Sequence, residues 1–149
     1  GLTTRTGAAG SQDAGFGAAA HVEADLTSIN FNISSWSRAA GGIFSVSANF
    51  NEQVTVAGLP TLVVQNDTNS RDITLQYLAA DSTTNRVTFT KTIGAAADDI
   101  HAGDVLTIAV NAIAMVGGST IKDTGSTNNA VWANTATIGT NAGSITAVA

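Results

Sequence analysis

Ile43-Phe44-Ser45-Val46-Ser47-Ala48-Asn49-Phe50 is the stretch on which the class of this chain turns. Successive side chains of an extended chain point to opposite faces. Phe44, Val46, Ala48 and Phe50 therefore fall on one side, and Ser45, Ser47 and Asn49 on the other. This period of two is the pattern of a half-buried strand. After a short break Val54 and Val56 continue the apolar face, and Gly58-Leu59-Pro60 turns the chain.

The same alternation recurs on both sides. Upstream, Ile29, Phe31 and Ile33 alternate with polar residues, then Trp36 leads to a loop closing on Gly41-Gly42. Downstream, Thr61 to Gln65 is a short strand ended by the turn cluster Asn66-Asp67-Thr68-Asn69-Ser70. Ile73, Leu75 and Tyr77 alternate next, and Asp81 to Asn85 turns. Val87 and Phe89 alternate with Arg86, Thr88 and Thr90, which predicts a strand with one wet face. Gly94 to Gly103 is rich in Ala and Asp and has room for one helical turn. Leu106, Ile108 and Val110 alternate in the most apolar segment, followed by Ile113, Met115 and the Gly117-Gly118 break. Ser119 to Lys122 is short, Asp123 to Asn129 is a polar turn, and from Val131 onward the apolar signal is weak. About seven short strands at regular spacing, with thin helix evidence, predict an all-β sandwich.

The 149 residues fit one domain, or one domain with an arm. Charged residues make up 11% of the chain, against about a quarter in an ordinary globular protein. The polar surface is therefore built from Thr, Ser, Asn and Gly, which bond through neutral groups. Six Lys plus Arg, none adjacent, and a net charge of −5 give no footprint for nucleic acid. The same balance gives no attraction to anionic membrane surfaces, and no apolar run is long enough to span a bilayer. With no cysteine, disulfides and thiolate chemistry are excluded. The start, Gly1-Leu2-Thr3-Thr4-Arg5-Thr6, lacks the apolar run of a signal peptide and resembles what initiator-methionine removal leaves.

Residues 1–24 read as an extended Gly/Ala-rich arm, residues 25–131 as the sandwich, and residues 132–149 as an extended C-terminal tail or an added strand. Phe16, alone among small residues, is the candidate partner anchor of the arm, and His21 a candidate interface residue. Sheet edges invite pairing, so the arm or the tail is expected to add to a neighbour's sheet.

Little in the chain suggests chemistry. His21 and His101 are the two histidines, and no Gly-x-Ser-x-Gly elbow accompanies them. No catalytic residue is assigned, and the chain is read as a non-enzyme. Asp98, Asp99 and Asp104, or Asn66, Asp67, Asn69 and Asp72, offer oxygen atoms of the kind calcium takes. Turn geometry explains the same residues, no EF-hand spacing exists, and no metal or cofactor is assigned. Trp36 and Trp132 are candidate surface aromatic contacts, with core packing or subunit contact as the alternative.

Phe50, Glu52, Val54, Val56, Gly58, Pro60 and Leu62 stand in an order that resembles the bacterial immunoglobulin-like domains of phage virion proteins and bacterial surface proteins. Tyr77, Val87-Thr88-Phe89, Gly103-Asp104, Ala112-Ile113, Gly117-Gly118 and Ile121-Lys122-Asp123 continue the pattern, over about residues 40–131. The resemblance implies an immunoglobulin-like sandwich and a structural or adhesive role. A lone module with an arm implies a capsid decoration or cement protein on the virion surface, bound as a homotrimer to the major capsid protein or other virion subunits. A surface adhesin, a carbohydrate-binding module and a phage tail or fibre domain are the alternatives.

Overall fold

The computed structural model describes residues 8–9, 12–14, 23–68 and 70–149. From Glu23 onward the chain forms eleven strands and one short helix. The strands are β1 (Leu26–Phe31), β2 (Trp36–Ser37), β3 (Gly42–Phe50), β4 (Val54–Ala57), β5 (Thr61–Asn66), β6 (Ile73–Tyr77), β7 (Arg86–Ile93), β8 (Val105–Thr107), β9 (Ile113–Ala114), β10 (Thr120–Asp123) and β11 (Ser144–Val148). The helix, α1, is Ala136–Ala142. The architecture is all-β and sandwich-like.

The main sheet runs β1-β3-β7-β6-β5-β8-β11-β2, with β9 beside β8 on the same edge of β5. Strands β6 and β7 pair only through Gln76 and Tyr77, so the sheet opens there and curls over one core. A second, smaller sheet pairs β4 with β10. Val54 and Val56 therefore leave the face of Phe50 rather than extend it. They are half-buried on this ribbon, where Ile121 and Val56 face each other.

Period-two burial decides the centre. Phe44, Val46, Leu62, Val64, Leu75, Val87, Phe89 and Leu106 are all but inaccessible to solvent. The Phe44 ring meets Phe31 edge-on at 6.1 Å and Trp36 at 5.4 Å, distances at which aromatic pairs stabilise beyond their buried area. The expected wet face of β7 is only partly wet: Thr88 is buried because the turn at residues 79–82 folds over it.

The stretch from Val105 to Met115 is not one strand. It pairs with β5 as β8 (Leu106 opposite Asn66) and again as β9 (Ile113 opposite Leu62), with Ile108 to Ala112 looped out between. The side chain of Asn134, 2% exposed, holds that break open. Its amide donates to the Ala109 carbonyl at 2.8 Å and its Oδ1 accepts from the Ala112 amide at 2.8 Å. The next residue, Thr135, caps α1 by accepting from the Ile138 amide. A helix of seven residues rich in Thr, Asn and Gly has little intrinsic stability. Packing supplies it: Gly139 lies so close to the Ile108 carbonyl that an added Cβ would sit 2.3 Å from that oxygen.

Residues 132–149 thus carry a helix and a strand, the second of the two alternatives expected of them with a helix before it. Strand β11 lies inside its own sheet, between β8 and the parallel β2. It is therefore already paired and not free to join a neighbour. The opening edge of β1 is covered too: Val131 exchanges backbone hydrogen bonds with Ala24 and Leu26, and α1 packs against β1. Covering an edge in this way suppresses sheet-to-sheet association.

Candidate functional site

Three surfaces emerge from this frame. The first is the outer face of the β1-β3-β7-β6 half. Its side chains fall into cross-strand rows: Ser28–Asn49–Arg86, Asn30–Ser47–Thr88 and Ser45–Thr90–Gln76. Arg86 is the only charged member. Every other position of these rows carries a hydroxyl or an amide, while the next pair on the face sets the exposed Ile43 opposite Thr92.

The hydrogen bonds on this face have a fixed direction. Thr88 Oγ1 donates to the Asp81 carbonyl at 2.9 Å, because a carbonyl can only accept. Its hydrogen being spent, Thr88 accepts from Ser47 Oγ at 2.8 Å. Ser47 in turn accepts from Asn32 Nδ2 at 2.7 Å, and the same nitrogen donates to Ser45 Oγ at 2.9 Å. The chain Asn32 to Ser47 to Thr88 to Asp81 fixes the Asn32 amide with its nitrogen inward. At its end lies a cavity of about 440 Å³ walled by Ala80 to Thr83 and by Arg86.

The second surface is apolar. In the antiparallel pairs, Thr61 faces Gln76 on one side and Ala114 on the other. Leu59, Leu78 and Val116 stand one or two residues beyond these paired ends of β5, β6 and β9. The three are 51%, 38% and 47% exposed, an apolar group flanking the tips of three neighbouring strands. Leu59 follows Gly58, whose positive φ of 74° makes the turn. No sequence signal marked this group, because each member is an ordinary apolar residue next to a turn.

The third is a charged end. Asp98 pairs with Arg38 at 3.4 Å and stands 3.5 Å from His101 Nε2, while Asp99 pairs with Lys91 at 3.9 Å. Arg71 donates to the Asp98 carbonyl. Asp104 points the other way and is buried, accepting from Asn66 Nδ2 and the His101 amide, both at 2.8 Å. Asp67 accepts from Gln65 and Thr107. The two oxygen-rich groups considered for calcium thus do not pool their carboxylates. Among the described residues, no three His, Asp or Glu side chains converge as metal ligands do. Exposed pairs of this kind stabilise by about 1 kcal/mol or less.

The aromatic candidates part company. Trp36, 5% exposed, is a core residue and not a surface contact. Its parallel pairing with Ala147 turns the ring onto Phe44, where a large apolar side chain is needed to close the end of the core. Trp132 is half-buried against the same core. Phe16, His21 and Asn69 lie outside the described residues. No protein-family model, curated protein or solved structure matches the chain.

Proposed function

We propose that this chain is a structural virion protein, a capsid decoration or cement subunit that binds and stabilises the major capsid lattice. The observation that carries the reading is that Leu59, Leu78 and Val116 are all exposed beyond the neighbouring ends of β5, β6 and β9 in a weakly charged sandwich. Exposed apolar residues gathered in one region mark protein contacts. Strand pairing is a poor route to assembly here, since the opening edge of β1 and the last strand are both occupied within the chain. Contact through a tip leaves the neutral faces facing water. The resemblance to immunoglobulin-like virion modules points the same way, with the Gly/Ala-rich arm and Phe16 as a second attachment.

Undecorated particles mixed with the purified chain test this. The wild type is expected to bind and to raise the particle's resistance to heat. Leu59→Glu with Val116→Glu is expected to stay folded and lose occupancy, and removal of residues 1–21 to weaken it further. Unchanged occupancy in the tip variant would overturn the reading. Light scattering of the free protein is expected to give a trimer.

A further inference from the structure

We infer that the cavity beside Asn32 is a binding site for a neutral sugar, a ligand of vicinal hydroxyls. The inference is independent of the capsid reading, which rests on a different surface.

The relay described above determines which valences the cavity offers. Asn32 Nδ2 is spent on Ser45 and Ser47, so Asn32 Oδ1 is left as an acceptor. Ser45 Oγ accepts from Asn32, which leaves its hydrogen to donate. Asp81 contributes a carboxylate from an exposed turn, and Arg86 a guanidinium whose one near partner is the Asp81 carbonyl at 3.4 Å. The result is alternating donors and acceptors around one hollow. Sugar hydroxyls, which donate and accept at the same atom, satisfy such a set on all sides.

Charge and shape exclude the other classes. Asp81 and Arg86 stand in the same cavity with opposite signs, so neither an anion nor a cation is favoured. Ala80 is the one apolar residue of the lining, which leaves no wall for a lipid or an apolar side chain. A peptide added as a strand would need a free strand edge, and β3 and β7, which carry Ser45, Arg86 and Thr88, are both interior strands. The volume of about 440 Å³ lies in the range of small-molecule sites. The floor is held by bonds of 2.7–2.9 Å, so little ordering cost falls on the ligand.

Amide NMR titration of the full chain tests this, with maltotriose, cellotriose, mannotriose, galactotriose and chitotriose as probes. Sialyllactose and a Gly-Asn peptide of similar length serve as the other arms. At least one neutral trisaccharide is expected to shift the resonances of Asn32, Ser45 and Thr83 with Kd on the order of 1 mM or tighter. Asp81→Asn and Arg86→Ala are each expected to weaken it about tenfold, with the melting temperature unchanged. No shift with any neutral probe, stronger binding of sialyllactose or of the peptide, or wild-type affinity in both variants overturns the inference.

Discussion

Replacing Gly139 by alanine should destabilise this protein, although the same change in an ordinary helix stabilises it. Glycine in a helix interior costs up to about 1 kcal/mol relative to alanine, and Gly139 is the fourth of seven helical residues. Local propensity therefore predicts a gain. The tertiary structure reverses the sign. The new Cβ would lie 2.3 Å from the Ile108 carbonyl oxygen, more than 1 Å inside an ordinary contact of roughly 3.5 Å. Relief requires α1 to retreat from the loop between β8 and β9, which stretches the Asn134 bonds holding that loop. Overpacking of this kind costs roughly 1–3 kcal/mol. Set against the helix-propensity gain, we expect a net loss of about 1 kcal/mol, with a melting temperature lower by about 2–4 °C and a urea midpoint lower by about 0.5 M at unchanged slope. Circular dichroism melts and urea titrations of the wild type and the variant read both. Thr140→Ala, exposed on the same helix, is the control and should stay within about 0.5 kcal/mol or rise. A Gly139→Ala protein as stable as Thr140→Ala would refute the close approach of helix and loop.

The remaining predictions concern the buried polar anchors and the core. Asn134→Ala removes the bonds to Ala109 and Ala112 and strands one buried and one part-buried backbone group, a loss of about 2 kcal/mol readable as a lower urea midpoint. Asp123, 1% exposed, accepts from the amides of Ala24, Gly125 and Ser126. Asp123→Asn turns one acceptor into a donor facing a donor and should cost about 2–3 kcal/mol, with faster hydrogen exchange at Ala24. Trp36→Ala should cost about 3–5 kcal/mol as a buried aromatic truncation. Trp36→Phe should remove the blue-shifted part of the tryptophan emission and leave the redder signal of Trp132; loss of the redder part instead would contradict the burial.

The alternation at Phe44 to Phe50 needs no partner to be recognised, because the two-residue repeat follows from the geometry of a single extended chain. The same holds at Ile73 to Tyr77 and at Val87 to Phe89, and each of these segments is a strand. Val105 to Met115 misled for the opposite reason. Its apolar content predicts one strand, and the interruption at Ile108 to Ala112 is imposed by Asn134, a residue more than twenty positions later. Thr135 is a capping residue without an apolar repeat behind it, so α1 left no readable trace. The binding surfaces were less legible still. Leu59, Leu78 and Val116 are unremarkable one by one, and only pairing with β5 brings the strand ends beside them together.

What the sequence determined by itself was therefore the class: a weakly charged, cysteine-free sandwich of short strands, since composition and period-two burial are properties of residues and their immediate neighbours. What the tertiary structure decided was where the polar groups point. The Asp123 carboxylate meets an amide 99 residues away, and the order Asn32, Ser47, Thr88, Asp81 joins the residue after β1, two strands and a turn. A hydroxyl or amide can be written at any exposed position with little effect on the local chain. Its donor or acceptor role is set only when folding brings up the group that takes or gives the proton.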